Sequence, residues 1–430
     1  MPGSLLVMVG LFIFLMFTGM PLSFSMLFSS AVYLVLAGET PWLMVHHMFT
    51  GIDTFTLMAI PFFMLAGELM VYSGTAERLL NFANVSVGRF RGGLGYVNVL
   101  ASMLFGGCSG SAISDVAGLG PLEIEMMEKG GYKRDFSTAL TISSAIQGPI
   151  IPPSIPLVLV GAVTGISVGG LLLGGAIPGI MVGLAQCAVI FVVARKRKFP
   201  RFEIKTSVLE IVKVTLRAIP FFLMPFIILG GIIAGVCTPT EASAVAVAYG
   251  LLLIVVCRRG RVDVKSLGRV FARSAVLSAC ILMLAGASNV FGWILSIEKV
   301  PQMIAGSVLA VTENRWAILL IMNIVLLVWG MVMDSLPAIL ILVPILYPLA
   351  RQLGVNPVHF GVVVTFNLAL GLITPPYGAA LFTGSIVSGL SMEKIIRQML
   401  PFIVASVCIL LIITYIPAIV TWLPRLFGLL

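Results

Sequence analysis

Apolar runs recur from one end of the chain to the other, separated by short polar connectors. A membrane span needs roughly 20 apolar residues, so the pattern leaves room for about ten to twelve spans or part-spans. The first run, residues 5–37, is too long for one span and is interrupted at Gly19, Met20 and Pro21. That interruption predicts two segments or one sharply kinked helix. A polar stretch follows around His46, His47 and Asp53, and the histidines read as interfacial. A second run, 55–88, is punctuated by Pro61, Gly67, Glu68 and Gly74. From Gly92 to Gly131 the character changes, because the chain becomes rich in Gly and Ser and its apolar arms are too short to cross separately. We expect a re-entrant helical hairpin there, with its tip near Gly106 to Ser111.

The pattern also repeats. A shift of 223 residues carries Pro121 onto Pro344, Pro152 and Pro153 onto Pro375 and Pro376, and Pro178 onto Pro401. Windows 121–178 and 344–401 each hold six prolines, so chance gives about 0.6 coincidences where four occur. Glycines agree without a gap: Gly107 with Gly330, Gly131 with Gly354, Gly148 with Gly371, and Gly161 with Gly384. Upstream, Met64 to Gly67 matches Met283 to Gly286 at a shift of 219. Duplicated halves with interrupted helices at matching positions are the sequence sign of a secondary transporter with its site at the repeat interface. Unsatisfied backbone groups cost several kcal/mol in hydrocarbon, so breaks persist only where they face protein, water or a ligand. The expected fold is an all-α polytopic membrane protein: an inverted repeat with two re-entrant hairpins and two broken helices.

Each half supplies a hairpin tip and a Pro-Pro interruption. In the first half the tip carries Ser109, Gly110, Ser111 and Asp115, and the interruption runs from Gly148 through Pro152 and Pro153 to Ser154. Small residues admit a ligand to the backbone, and hydroxyls with bare carbonyls form a neutral oxygen cage suited to sodium. Prolines remove donors and leave carbonyls free. In the second half the tip runs from Trp329 to Asp334 and Ser335, opposite Gly371, Thr374, Pro375 and Pro376. Ser111 aligns with Asp334, so the half-sites differ in charge. Close helix packing is the rival reading for the Gly/Ser cluster, and structural pairing is the rival for Asp115 and Asp334. Glu68 fits a helix end as well as a site, and Glu241, after Thr238 and Pro239, fits a helix cap.

Composition supports lipid as the solvent: 59% of the 430 residues are hydrophobic, 10% are charged, and the mean hydropathy is +1.13. The net charge of +9 lies in connectors rather than on a nucleic-acid-binding face. Arg195, Lys196, Arg197, Lys198, Arg201 and Lys205 form one cluster, and Arg258, Arg259, Arg261, Lys265, Arg269 and Arg273 another. Both read as cytoplasmic, with apolar stretches near 219–236 and 242–256 crossing between them. Six scattered cysteines show no metal-site spacing. The amino-terminal run reads as a retained span rather than a signal peptide. No Walker A, HExxH or GxSxG element supports ATPase or protease chemistry, and no cofactor is expected.

At these positions the chain resembles the large membrane subunit of tripartite ATP-independent periplasmic (TRAP) transporters. The resemblance rests on Ser109 to Ala112 with Asp115, Gly118 to Met126, Gly131 with Tyr132, Pro152 to Ser154, Thr238 to Glu241, Asp334 with Pro344, and Thr374 to Gly378. Ser114 stands where alanine is usual, and Leu157 to Gly161 lack an expected aromatic. The resemblance implies an elevator-type carrier in the bacterial inner membrane, driven by sodium. It implies two partners, a small four-helix membrane subunit and a periplasmic substrate-binding protein. It carries sodium ligation to Ser109, Ser111, Asp115 and Gly148, and to Asp334, Ser335, Gly371 and Thr374. Ser109, Pro153, Ser154 and Pro376 are candidate contacts for a small organic anion, with C4-dicarboxylates, sialic acid, other sugar acids and keto acids all open. The implied organisation is a scaffold over 1–91, transport repeats over 92–194 and 317–400, connectors and scaffold helices over 195–316, and a C-terminal helix over 401–430. A stand-alone dicarboxylate symporter is the alternative; a channel or structural subunit would show uptake without sodium dependence.

Overall fold

A computed structural model describes residues 3–197, 199, 208–258, 263–312 and 314–430, and among them every regular element is helical. Lys198, Arg201, Lys205, Arg259 and Arg261 of the basic clusters lie outside the described residues. Helices α1 (Gly3–Phe17) and α2 (Leu22–Ala37) come from the first apolar run. They are two helices rather than one kinked one, because Gly19 takes a left-handed φ of 85° and Pro21 restarts the chain. Next come α3 (Trp42–Ile52), α4 (Ala59–Tyr72) and α5 (Thr75–Val87). The Gly-rich region forms α6 (Gly93–Ser109), α7 (Ala112–Gly118) and α8 (Gly120–Lys129), and α6 and α7 meet at a bend of 120°.

A broken helix follows, with α9 (Arg134–Ala145) ending and α10 (Ile155–Thr164) resuming across the first Pro-Pro pair, then α11 (Val168–Lys196). Helices α12 (Val208–Ile233), α13 (Pro239–Arg258), α14 (Val264–Ile297) and α15 (Val300–Val311) connect the halves. The second half contains α16 (Arg315–Val332), α17 (Ser335–Gln352), α18 (Pro357–Gly371), α19 (Ala379–Ser388), α20 (Met392–Tyr415) and α21 (Pro417–Leu426). Eight helices among the described residues are long and apolar enough to cross a membrane, nine with the bent pair; α1, α2, α10, α18 and α19 are shorter apolar helices. This is a multi-pass membrane protein, with lipid-facing side chains such as Phe226 and Leu184 exposed.

The 223-residue shift reappears in the element boundaries. It carries α6 onto α16, α7 with α8 onto α17, α9 onto α18, α10 onto α19 and α11 onto α20, each within four residues. Packing crosses between the halves: α9 lies on α6 and α18 on α16, but α10 lies on α17 and α19 on α7. Each broken helix therefore begins against its own hairpin and finishes against the other one, so the two halves interlock as one body. Helix α11 accepts the first interruption through small residues, since a Cβ at Gly179 would strike the Ile151 side chain and one at Gly175 the Ile150 carbonyl, a close approach that only glycine allows.

Three acidic residues outside the breaks have structural roles. Glu241 closes a capping box: its Oε2 accepts from Thr238 N and Oγ1, both at 2.8 Å, with Pro239 at the first helical position. Glu68 pairs with Arg273 of α14 at 3.7 Å. Asp263 caps α14 by accepting from the Lys265 and Ser266 amides, and the Ser266 hydroxyl is the main cause holding its carboxyl below the usual range.

Candidate transport site

Both interruptions lie against a hairpin tip. In the first half, residues 146–154 leave helical geometry, with a cis bond between Pro152 and Pro153. The hairpin breaks at Gly110 and Ser111, within the expected tip but later than its first glycines, because helix α6 continues through Ser109. Gly106 and Gly107 serve instead as contact surfaces: a Cβ at Gly106 would sit 2.8 Å from Gly148 Cα, and one at Gly107 would sit 3.3 Å from Pro152 O. Gly110, at φ 63°, makes the turn.

Four of the proposed ligands meet there. The Ser109 hydroxyl donates to Asp115 Oδ1, Ser111 N donates to Ser109 Oγ at 3.4 Å, and Ser111 caps α7. Gly148 faces Asp115 and Ser111 so closely that a Cβ would stand 2.6 Å from Asp115 Oδ2. Asp115 is 1% exposed, and its Oδ2 has no hydrogen-bond partner. A buried carboxylate oxygen without a donor is costly, and a cation would satisfy it.

The second half is more open. Asp334 caps α17, accepting from Ser335 N at 2.6 Å and from Ser335 Oγ at 3.2 Å. Residues 372–378 are non-helical, with a cis Pro375–Pro376 bond. Gly371 is the last helical residue of α18, and its backbone meets that of Gly330. Gly378 N donates across to Met331 O at 3.1 Å, which ties the interruption to the tip. The Thr374 hydroxyl is bonded back to Leu370 O at 2.7 Å. Pro376 is exposed, whereas Pro153 and Ser154 are buried. Ser154 Oγ accepts from Leu157 N at 3.2 Å and donates to Pro149 O, so its one proton is committed to the backbone.

A family profile described as the DctM component of tripartite ATP-independent periplasmic transporters matches residues 9–419. The chain belongs to this family. The sialic acid TRAP transporter large permease protein SiaM of Vibrio cholerae is 40% identical over 428 residues, 99% of this chain and 99% of its own. The C4-dicarboxylate TRAP transporter large permease protein DctM of Pseudomonas aeruginosa is 39% identical over 381 residues, 89% of each. The YdaH transporter of Alcanivorax borkumensis shares the fold, with a TM-score of 0.57 at 14% identity and 87% coverage of both chains. These relatives carry the names of permeases and a transporter, not of enzymes.

The sequence reading of this DctM-family chain missed its buried polar belts. Asn98 donates to Glu123 Oε2 at 2.9 Å and to Thr141 Oγ1 at 2.7 Å. Ser102 Oγ lies 3.3 Å from Glu123 Oε1 and 2.9 Å from Ser144 Oγ. The second half has a counterpart in Asn367, which donates to Asn323 O and Oδ1 at 2.9 and 3.0 Å. Ser144 and Asn367 are equivalent under the repeat, so each broken helix is fastened to its own hairpin arm at the same level. The legible signal was polar spacing: Asn98 with Ser102 at i,i+4 and Thr141 with Ser144 at i,i+3 share helix faces. Glu123→Ala removes the acceptor from this belt and should destabilise the fold by about 1–3 kcal/mol, read as a lower thermal-unfolding midpoint in detergent; an unchanged midpoint would refute the fastening role.

Proposed function

We propose that this chain is the transporting subunit of a sodium-driven importer of small organic anions, working in the bacterial inner membrane with a small four-helix subunit and a periplasmic substrate-binding protein. The observation that carries it is the partnerless Asp115 Oδ2, held between Ser109, Ser111 and Gly148 where a hairpin tip meets a broken helix. Sodium is cargo in this scheme, bound by Ser109, Ser111, Asp115 and the Gly148 region in one half and by Asp334, Ser335, Gly371 and Thr374 in the other. Substrate contacts fall to Ser109 and Pro376, with Pro153 and Ser154 shaping the site from behind.

Energetics favour this coupling. Moving an anion inward against an inside-negative potential costs about 2.3 kcal/mol per charge per 100 mV, and two or more sodium ions entering with a carboxylate reverse the sign. The interlocked repeats, 92–194 and 317–400, are the body that moves in an elevator cycle, while 1–91 and 195–316 stay with the bilayer. The relatives' names, which span sialic acid and C4-dicarboxylates, support a small organic anion as substrate.

Reconstitution into proteoliposomes with the small subunit tests the reading. Uptake of a carboxylate should require both an inward sodium gradient and the binding protein. Uptake indifferent to sodium would overturn the coupling, and uptake without the binding protein would favour the stand-alone symporter.

A further inference from the structure

A groove of about 670 Å3 runs between α6 and α11, towards the basic ends of both helices. Its walls include Leu100 and Met103 from α6 and Leu184 and Phe191 from α11, and its mouth carries Arg91 and Arg195. The floor exists because α11 has glycine at 183, where a Cβ would stand 2.6 Å from Met103 Sδ. Leu184 is 63% and Phe191 49% exposed, so the apolar wall opens to the surroundings instead of closing into the core. Arg195 is held over the Phe191 ring, its Cζ 4.0 Å from the centroid. Among the described residues, no carboxylate pairs with Arg91 or Arg195.

Sidedness decides what such a groove meets. Helix α6 begins just after Arg89 and Arg91, and α11 ends at Arg195 and Lys196, so both basic ends lie on one side. Basic residues flanking spans mark the cytoplasmic face, whose leaflet presents anionic lipids, and basic pockets between membrane helices on that face suit anionic head groups. A soluble anion would use the arginines but leave the apolar wall wet. A packed helix would cover the wall but bury two unpaired guanidinium groups, at high cost. One molecule satisfies both ends.

We propose that this groove binds an anionic phospholipid of the cytoplasmic leaflet, its phosphate between Arg91 and Arg195 and an acyl chain along Leu100, Met103, Leu184 and Phe191. The site is separate from the Asp115 and Asp334 regions, so it stands whether or not sodium is the coupling ion.

Native mass spectrometry of the full chain in detergent, titrated with phosphatidylglycerol or phosphatidylcholine, tests the proposal. The wild type should retain phosphatidylglycerol roughly tenfold better, because its net negative charge is left to the two guanidinium groups whereas the choline cation of phosphatidylcholine offsets its own phosphate. Arg91→Gln with Arg195→Gln should erase that preference, while Arg91→Lys with Arg195→Lys should keep most of it. Both arginines are exposed, so the variants should fold, and an unchanged thermal midpoint checks this. Equal retention of the two lipids by the wild type, or a preference surviving the glutamine pair, overturns the proposal. So does loss of the retained lipid when the small subunit is co-purified, because the groove would then belong to that interface.

Discussion

Asp334→Ala should reduce sodium-dependent uptake to the level of protein-free vesicles while leaving folded protein in the membrane. The expectation needs a control, because Asp334 caps a helix in the structure besides its proposed role in ion binding. It accepts from Ser335 N and Oγ at the start of α17, and losing such a cap costs about 0.5–2 kcal/mol. Its charge is a separate matter: it stands at a hairpin tip, half-buried, where a bound cation would be neutralised. Asp334→Ser separates the two, since serine caps a helix about as well as aspartate but brings no charge. The serine variant should regain the thermal stability lost by alanine and still fail to transport. Wild-type uptake by Asp334→Ser would remove the carboxylate from ion binding and leave it a cap.

The breaks were legible in the sequence because their causes are local. A Pro-Pro pair cannot continue a helix, and its recurrence after 223 residues locates both interruptions without any knowledge of packing. The hairpin tips were legible to within a few residues only. Gly106 and Gly107 read as turn residues, yet they lie inside α6 and serve close approach to Gly148 and Pro152; glycine marks either role, and only three-dimensional proximity separates them. Hydroxyl partners were not legible at all, since the bonds from Ser154 to Pro149 O and from Thr374 to Leu370 O depend on backbone direction. Glu123 was missed for a related reason. It sits in a charged stretch with Glu125, Glu128 and Lys129, whose spacing does not say which carboxylate faces inward. Glu125 faces out, pairing with exposed Lys129 at 2.6 Å, whereas Glu123 turns inward to Asn98 and Ser102.

Gly148→Ala and Gly371→Ala occupy equivalent positions in the repeat, and the structure assigns them different failures. A Cβ at Gly371 would run into the backbone C, Cα and O of Gly330. Those atoms cannot rotate aside, so α18 must move off α16, a strain of about 1–3 kcal/mol or more by analogy with overpacked cores. Gly371→Ala should therefore lower the thermal midpoint and reduce the folded yield, with uptake falling in step. At Gly148 the nearest atom is Asp115 Oδ2, at 2.6 Å, a side-chain oxygen that can swing away. Gly148→Ala should keep more of its stability but displace the carboxylate from Ser109 and Ser111, raising the sodium concentration needed for half-maximal uptake before any loss of fold. Gly268→Ala is the internal reference: a Cβ there meets nothing within 4 Å, and alanine in a helix is favoured over glycine by about 1 kcal/mol. If both break variants lose stability equally with sodium dependence unchanged, the first interruption is packing alone, and the cation belongs elsewhere.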